Sequence, residues 1–314
     1  MSASVGVVGC GHWGQNLVRN FSELGALSFV CDSDTKRAVE LAKNYNVGHL
    51  SFRELCAKEN LNAIIVATPA SSHFSTAMEV LNSGKHVFVE KPLAMTENEA
   101  EEMVSCANSL GLHIMVGHIM LFHPAFLALK EKIKNNVLGE IKYLRSSRRS
   151  FGQIRDNEDV LWSFAPHDIS MILSILETFP SRVEAHRLDL TGNNIADAAY
   201  LNLFFNAGME ATVEVSWLDA TKEQKLTVVG SKAMAVFDDT KPWTEKLAIY
   251  PQYAHFHKGP TNLVRETPYF VDLPASEPLK LECQYFLDLI ENKQGRIAGG
   301  DKGVDVVRVL AQTS

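Results

Sequence analysis

The chain has 314 residues, of which 46% are hydrophobic and 21% charged, and its formal net charge is -7. This length and composition predict a globular protein with two cores. The acidic balance argues against nucleic acid as a partner, and no apolar run approaches the roughly 20 residues of a membrane span. Five scattered cysteines without CxxC spacing predict neither disulfides nor structural zinc, so we expect a cytoplasmic protein.

Residues 1–121 alternate short apolar runs with helical stretches, a pattern typical of βαβ units and a parallel sheet. The predicted strands span 5–8, 27–31, 63–67, 86–89 and 114–116. The predicted crossover helices span 16–24, 36–45, 75–82 and 97–110. We therefore predict an α/β Rossmann domain over residues 1–121.

Residues 122–314 follow a different pattern, in which strands cluster after a helix. The predicted helices span 124–132, 166–176 and 278–291, and the predicted strands span 141–150, 183–190, 198–205, 210–217, 225–229 and 233–237. Consecutive strands of this kind predict an α+β domain with an open-faced, mainly antiparallel sheet. One face of that sheet would lie uncovered in a monomer, so we expect a homodimer or homotetramer.

The motif GCGHWG at residues 9–14 follows the first predicted strand and leads into the first predicted helix. In this position Gly9 permits a tight turn, Gly11 lets the backbone approach a pyrophosphate, and Gly14 allows close helix packing. Asp32 ends the second predicted strand, where an acid accepts hydrogen bonds from ribose hydroxyls and repels a 2′-phosphate. We therefore expect NAD rather than NADP, although Asp32 also suits the role of a helix cap.

Two further segments follow predicted strands at the edge where parallel sheets bind ligands. Thr68 and Pro69 follow the third strand, and His73 lies near the start of the next helix, where it suits a ligand contact or a capping or packing role. Glu90-Lys91-Pro92 follows the fourth strand. Beside a positively charged nicotinamide ring, Lys91 would favour its neutral form and could handle a substrate proton.

A second chemical candidate lies within residues 161–168. Pro166 suits the first turn of a helix, which would place His167 where the helix dipole favours a neutral base. Asp168 could orient His167 or complement the dipole. Arg149 and Arg155 belong to a basic stretch that could hold an anionic substrate or form a solvated strand face.

Three histidines, His113, His118 and His123, recur every five residues. This spacing does not place ligands on one helix face, so we expect no metal site there. His118 and His123 could still line a cleft between the domains.

Together, the glycine motif, Asp32, the segment 68–73, Glu90-Lys91-Pro92 and Pro166-His167-Asp168 resemble the Gfo/Idh/MocA oxidoreductase family. Members of that family pair a nucleotide-binding domain with an open-faced sheet domain. Glu90-Lys91-Pro92 is its most specific mark, and in the family a cis peptide precedes this proline. The resemblance implies that NAD is bound by Gly9, Gly11, His12, Trp13, Gly14, Asp32, Thr68, Pro69, His73, Glu90, Lys91 and Trp162.

Many polyol and free-sugar dehydrogenases of the family carry an acid four residues before the histidine, where this chain has Ser163. The segments 162–168, 216–218 and 277–279 are similar to the branch that oxidises nucleotide-linked amino sugars at C3. This similarity implies NAD-dependent oxidation of the C3 hydroxyl of UDP-N-acetylglucosamine to a 3-keto sugar. An aminotransferase would then convert that product on a route to the diamino sugar of lipid A.

The resemblance also implies which residues meet the substrate. It assigns catalysis to Lys91 and His167, and it assigns substrate contacts to Lys91, His118, Arg149, Arg155, His167 and Asp168. Three alternatives stay open. A UDP-N-acetylglucosaminuronic acid 3-dehydrogenase would need only one additional cation. A free-sugar or inositol dehydrogenase is disfavoured by Ser163, and a non-catalytic NAD-binding regulatory protein by the presence of Lys91 and His167.

Overall fold

The computed structural model describes residues 3–152, 154, 158–255, 262–291 and 297–313. The chain divides into two compact units, Met1–Ile119 with Glu277–Ala311 and Met120–Ser276 with Gln312–Ser314. The predicted boundary after residue 121 lies close to the division after Ile119. The prediction that the second domain runs on to residue 314 differs from this division, because residues 277–311 pack with the first unit.

The elements of the described residues are numbered in chain order. The strands are β1 (Val5–Val8), β2 (Leu27–Cys31), β3 (Gly48–His49), β4 (Ala63–Val66), β5 (His86–Glu90), β6 (Ile114–Gly117), β7 (Ile141–Phe151), β8 (Arg182–Leu188), β9 (Ala198–Phe204), β10 (Glu210–Ser216), β11 (Leu218–Gly230), β12 (Met234–Asp238), β13 (Leu247–Tyr250), β14 (Gln252–His255), β15 (Asn262–Arg265) and β16 (Tyr269–Phe270). The α-helices are α1 (Gly14–Glu23), α2 (Thr35–Tyr45), α3 (Phe52–Ala57), α4 (His73–Asn82), α5 (Glu97–Ser109), α6 (Pro124–Lys134), α7 (Val160–Leu176), α8 (Pro278–Ile290) and α9 (Gly300–Ala311). Among the described residues, no helix has the length and apolar character needed to cross a membrane.

The first unit is built around a parallel sheet whose six described strands lie in the order β3-β2-β1-β4-β5-β6. Strands β1, β4 and β6 are buried along their whole length, as expected for the apolar strands of a sheet covered on both faces. The strand order reverses between β1 and β4, so the carboxyl ends of these two strands form the crevice in which such sheets bind ligands. The predicted Rossmann fold is confirmed.

Helices α8 and α9 return to the first unit through apolar contacts and ion pairs. The Phe286 ring of α8 meets the rings of Phe21 and Phe88 at centroid distances of 6.5 and 5.6 Å. Arg308 of α9 forms ion pairs with two glutamates of α5. Periodicity in the sequence identifies such helices but not the sheet that they cover, so chain order alone assigned the helix at 278–291 to the second domain.

The second unit contains a sheet whose eight described strands lie in the order β16-β13-β12-β11-β7-β10-β9-β8. Its neighbouring strands pair antiparallel, except that β7 and β10 are parallel. Helix α7 packs against β7, β9 and β10. Along β7, Leu144 is fully buried whereas Tyr143 is 44% exposed, as alternation across a sheet with one covered face requires. The predicted α+β class is confirmed.

Helix α7 begins at Val160 rather than at the predicted Pro166. Asp159 caps it by accepting a hydrogen bond from the N–H of Trp162 at 3.0 Å. Pro166 therefore lies inside the helix, although proline is typical of a first turn and removes one intrahelical hydrogen bond elsewhere. His167 does not lie in the N-terminal turn, so the predicted effect of the helix dipole on this side chain is wrong.

A buried charge cluster in the second unit joins the start of α6 to the loop after β12. His123 caps α6, because its Nδ1 atom accepts a hydrogen bond from the N–H of Ala125 at 3.0 Å. Its Nε2 atom then carries the proton and donates to Asp239 at 3.2 Å. Lys246 donates to the same carboxylate at 2.6 Å. Burial would raise the pKa of Asp239, but these two donors outweigh burial and lower the pKa to about 2.

We expect the substitution Asp239→Asn to lower the free energy of unfolding by about 2 kcal/mol at pH 7. Each unit by which folding lowers the pKa of Asp239 contributes about 1.4 kcal/mol. The folded-state pKa lies below the unfolded one. The stabilisation is therefore fully present above about pH 4 and is lost as the pH falls through the folded pKa. Urea unfolding at a series of pH values measures this difference between wild type and variant.

The matched control is Glu140→Gln, which removes an exposed ion pair with Lys142. This control is expected to change the free energy of unfolding by less than about 1 kcal/mol. A gap between wild type and Asp239→Asn that stays constant from neutral to acidic pH would contradict the assigned role of the carboxylate.

Candidate functional site

A cavity of about 970 Å³ opens at the carboxyl ends of β1, β2 and β4 in the first unit. It brings together segments that are far apart in the chain, because a parallel sheet places all its carboxyl ends at one edge. The predicted cofactor residues that line it are Gly9, Gly11, His12, Trp13, Gly14, Asp32, Thr68 and Pro69.

The glycine motif leaves room at one position and requires glycine at two others. Gly9 has a φ of +87°, and a Cβ atom there would lie 2.6 Å from the backbone of Ala67. A Cβ atom on Gly14 would lie 1.9 Å from the carbonyl oxygen of Gly9. A Cβ atom on Gly11 would meet nothing within 4 Å. The backbone at Gly11 and the start of α1 are therefore open to a pyrophosphate.

Asp32 is held at the cavity wall by donors of the protein itself. Its side chain is 4% exposed and accepts hydrogen bonds from the N–H groups of Cys10 at 2.6 Å and Asp34 at 2.8 Å. The guanidinium of Arg37 pairs with both carboxylate oxygens at 3.2 Å. Burial alone would raise the pKa of Asp32, but these hydrogen bonds and the Arg37 charge lower it. An ionised acid here suits ribose hydroxyls, so the cavity fits NAD.

Trp13 connects the glycine motif to the strand end that carries Lys91. Its indole N–H donates to Glu90 Oε1 at 2.5 Å, while the ring stays 40% exposed. Glu90 is buried against Gly117, where a Cβ atom would lie 2.9 Å from Glu90 Oε2. Burial raises the pKa of Glu90 to about 7, although the Trp13 hydrogen bond and the Lys91 charge act in the opposite direction. Glu90 therefore links Trp13 to the end of β5, directly before Lys91.

Lys91 and His118 follow neighbouring strands, β5 and β6. The peptide bond between Lys91 and Pro92 is cis. His118 is 1% exposed, and neither of its ring nitrogens has a hydrogen-bond partner among the described residues. Burial, and then the Lys91 charge, lowers the pKa of His118 to about 3. His118 is therefore a neutral imidazole with hydrogen-bonding groups that a ligand or water can satisfy.

A second buried carboxyl group, Glu282 of α8, lies near Glu90. Neither of its oxygens has a hydrogen-bond partner within the described part of the chain. Burial, followed by the Glu90 charge, raises the pKa of Glu282 well above its ordinary value. Sequence reasoning missed this group, because a glutamate on a helix is normally exposed.

His73 does not line the cavity, in contrast to its predicted contact with the cofactor. The side chain is 1% exposed. Its Nδ1 atom lies 2.7 Å from the carbonyl oxygen of Pro92, and its Nε2 atom lies 2.9 Å from that of Thr68. Both ring nitrogens meet backbone groups, so the packing alternative describes His73 better.

In the second unit, Trp162, Ser163 and His167 lie on α7. Trp162 and His167 are half-buried, and Ser163 is buried. Ser163 precedes His167 by one turn, the spacing at which helix side chains are neighbours. The contacts of Trp162 with the cofactor and of His167 with the substrate stay predictions.

Asp168 lies in a buried ion pair rather than at an accessible site. Its carboxylate, 1% exposed, accepts from Arg148 Nε at 2.7 Å and from the Ser146 hydroxyl at 2.5 Å. The predicted substrate contact of Asp168 disagrees with this arrangement, because both carboxylate oxygens are already satisfied inside the protein.

Arg149 lies on β7 among three carboxylates. It pairs with Glu223 at 3.1 Å, with Glu214 at 3.4 Å and with Asp219 at 3.7 Å. These acids neutralise the cation that was predicted to hold an anionic substrate, so the predicted contact of Arg149 also disagrees with the structure. Arg155 lies outside the described residues.

Sequence reasoning missed the part of the cavity wall that follows β2 and β3. Arg37, His49 and Ser51 line it there. The short elements β3 and α3 were not predicted, although α3 begins with a capping box between Ser51 and Glu54. The Ser-x-x-Glu pattern of that box is visible in the sequence and would have located the helix.

Two family models match the chain. The first, described as an oxidoreductase family with an NAD-binding Rossmann fold, matches residues 3–118. The second, described as the GFO/IDH/MocA C-terminal domain, matches residues 126–236. Both predictions, the family resemblance and NAD as the cofactor, are confirmed by these matches.

Relatives with assigned activities cover most of the chain. UDP-N-acetylglucosamine 3-dehydrogenase of Acidithiobacillus ferrooxidans is 25% identical over 308 residues, which cover 98% of this chain and 95% of that protein. A solved structure of that enzyme superimposes with a TM-score of 0.88 at 25% identity, covering 100% of this chain and 96% of the other. The 2,7-anhydro-N-acetylneuraminate hydratase of Escherichia coli is 26% identical over 284 residues, covering 83% of this chain and 73% of that protein.

Proposed function

We propose that this chain, which belongs to the Gfo/Idh/MocA oxidoreductase family, oxidises the C3 hydroxyl of UDP-N-acetylglucosamine to the 3-keto sugar with NAD. The observation that carries the proposal is the position of Lys91 at the carboxyl end of β5. Lys91 lies next to Glu90, which Trp13 links to the cofactor cavity. The Lys91 charge acts on His118, whose ring nitrogens have no hydrogen-bond partner among the described residues. An amine in this position can take a proton from an alcohol.

Different residues of the chain would bind the cofactor and take part in the reaction. Gly9, Gly11 and Gly14 would hold the pyrophosphate of NAD, and Asp32 would hold its adenosine ribose. NAD supplies the hydride acceptor when bound. As the C3 hydride leaves the sugar, Lys91 Nζ accepts the hydroxyl proton. The alcohol thereby loses one hydride and one proton and becomes a ketone.

Two histidines are further candidates for contact with the sugar. Neutral His118 can donate one hydrogen bond and accept another, which suits a sugar hydroxyl beside Lys91. His167 is the second candidate for the proton acceptor. Neither Arg148 nor Arg149 is assigned to the diphosphate, because carboxylates pair with both.

The substrate class rests on similarity to the Acidithiobacillus ferrooxidans enzyme over nearly the full length of both chains and on Ser163. A 3-keto sugar is a substrate that an aminotransferase converts to an amino sugar. Functional coupling to such an enzyme, on a route to the diamino sugar of lipid A, is part of the proposal.

The proposal is tested by incubating the protein and NAD with UDP-N-acetylglucosamine, UDP-N-acetylglucosaminuronic acid, free N-acetylglucosamine and myo-inositol. We expect NADH and, by mass spectrometry, a UDP-sugar lighter by two hydrogen atoms from the first substrate. Preference for the uronic acid would move the assignment to that substrate. Turnover of the free compounds alone would make the chain a free-sugar or inositol dehydrogenase, and NAD binding without any turnover would favour a regulatory protein.

We expect His167→Ala to lower kcat by up to about 10²-fold. If His167 rather than Lys91 accepts the substrate proton, the variant must also change the pH dependence of kcat, because the accepting group titrates. The matched control is His186→Ala, an exposed histidine on β8, for which we expect unchanged kinetics. Steady-state rates across the pH range measure both effects. A His167→Ala profile with the wild-type shape would exclude His167 as the titrating base.

The exposed aromatic side chains of Tyr143 on β7 and Tyr200 on β9 support a homodimer or homotetramer assembled on the sheet of the second unit. Light scattering after size-exclusion chromatography measures the mass. A monomer at micromolar concentration would contradict this part of the proposal.

A further inference from the structure

The imidazole of His73, the first residue of α4, lies between two backbone carbonyl groups. Its Nδ1 atom is 2.7 Å from the carbonyl oxygen of Pro92, and its Nε2 atom is 2.9 Å from the carbonyl oxygen of Thr68. Both separations are those of direct hydrogen bonds. The side chain is 1% exposed, so bulk water does not compete for either contact.

The number of protons on the ring follows from these partners. A carbonyl oxygen only accepts hydrogen bonds, so each ring nitrogen must donate. A neutral imidazole carries one N–H, and its other nitrogen would turn a lone pair towards an oxygen at hydrogen-bond distance. Only the doubly protonated ring satisfies both contacts.

We propose that His73 is an imidazolium ion in the folded protein and that it positions Lys91, by tying the turn at Pro92 to the loop at Thr68. Hydrogen bonds from a charged donor are stronger than neutral ones, and here two of them hold one ring. The proposal assigns to His73 a positioning role and no contact with the substrate.

The positioning role follows from the two residues that carry these carbonyl groups, Thr68 and Pro92. Thr68 lines the cofactor cavity at the end of β4, and Pro92 directly follows Lys91 at the end of β5. A single ring therefore ties the backbone of the cofactor wall to the turn that directly follows Lys91. This consequence for catalysis rests on the proposed function, whereas the charge state of His73 does not.

Several effects oppose a charge on His73. Lys91, which directly precedes Pro92, is a second cation. Burial and the positive end of α4 both favour a neutral ring. The two charge-assisted hydrogen bonds to Pro92 and Thr68 outweigh those effects.

The charge is measured by nitrogen NMR of the ligand-free protein labelled with ¹⁵N only in histidine. We expect both ring nitrogens of His73 to be protonated at pH about 8, more than a unit above the reference pKa of about 6.5 for imidazole. His86 is the internal control. Its Nδ1 atom accepts a hydrogen bond from the N–H of His113, and burial lowers its pKa to about 4, so it should show one bare nitrogen. One bare nitrogen on His73 at that pH would overturn the proposal.

The spectrum is assigned from the signal that disappears in His73→Gln. If that variant fails to fold, correlation from the ring to the His73 backbone amide assigns the signal in the wild type. The measurement needs no turnover, so it stands even where the proposed function fails.

The positioning role is measured with two variants. His73→Phe keeps a ring without donors, and we expect it to lower kcat by about 10²-fold through displacement of Lys91. His73→Gln retains an amide donor and should recover at least about tenfold of that loss. Equal losses in two folded variants would overturn the positioning role. If the wild type turns over none of the substrates, that result counts against the proposed function alone. NAD affinity, measured by calorimetry, then replaces kcat as the readout, because Thr68 lines the cofactor cavity.

Discussion

Replacing Lys91 by methionine is expected to lower kcat by about 10²- to 10⁴-fold, the range typical of losing a general base. Methionine keeps the length and the apolar stem of lysine but cannot accept a proton. NAD affinity is expected to stay within about threefold, because binding of the cofactor does not require the proton transfer that Lys91 performs. Lys91 is also not among the described residues that line the cofactor cavity. Single-turnover kinetics measures the first effect, and calorimetric titration with NAD measures the second.

The control for this variant is Lys85→Met. Lys85 is a buried lysine that immediately precedes the opposite end of β5, whereas Lys91 is half-buried. Among the described residues, the Lys85 Nζ atom donates to the carbonyl oxygen of Ser83 at 3.5 Å. The same change there should leave kcat unaltered. Near-normal turnover by Lys91→Met, or an equal loss in both variants, would remove Lys91 from the chemical step.

Replacing Asp32 by alanine is expected to reverse the cofactor preference. Loss of a charged acceptor should weaken NAD by about 10- to 100-fold, since hydrogen bonds to charged groups contribute about 1.5 to 3 kcal/mol. The same change frees Arg37, which pairs with Asp32 at 3.2 Å. A guanidinium in this position can accommodate the 2′-phosphate of NADP. Dissociation constants for both cofactors, measured by calorimetry, test the reversal without requiring turnover.

Two further variants separate the causes. Asp32 also accepts hydrogen bonds from the N–H groups of Cys10 and Asp34, so Asp32→Asn, which keeps an acceptor but removes the charge, tests whether the turn itself survives. The double variant with Arg37→Ala should lose the gain in NADP affinity. An NADP affinity that does not rise in Asp32→Ala, or that survives the loss of Arg37, would contradict the assigned electrostatics.

The parts of this molecule that could be predicted from sequence are those specified by neighbouring residues. The glycine motif follows a strand and precedes a helix, and each of its backbone requirements is local. Asp32 and Thr68 could be placed at one cavity because the carboxyl ends of parallel strands share an edge. The cavity lining shows both residues there.

The parts that could not be predicted depend on which distant group a side chain meets. Asp168 was expected at a ligand, but its partner is Arg148 on another element. Arg149 was expected to be available, but three carboxylates from neighbouring strands surround it. Strand alternation predicts the face on which a residue lies, and it does not predict whether that face supplies a counterion.

The predicted start of α7 was wrong because proline can either begin a helix or lie inside one. Pro166 was placed in a first turn, the commonest position for proline in helices. The cap at Asp159 starts α7 earlier and leaves the proline inside. His167 consequently lost its predicted place at the helix start, while its role as a candidate base stays a prediction.

Hydride transfer from C3 is tested most directly with UDP-N-acetylglucosamine that carries deuterium at this carbon. With wild-type protein and NAD, we predict that deuterium appears in the reduced cofactor and that a 3-keto UDP-sugar forms in equal amount, while the Lys91→Met protein gives neither. Reduced cofactor without deuterium, or a keto product whose carbonyl lies at another carbon, would contradict hydride transfer from C3.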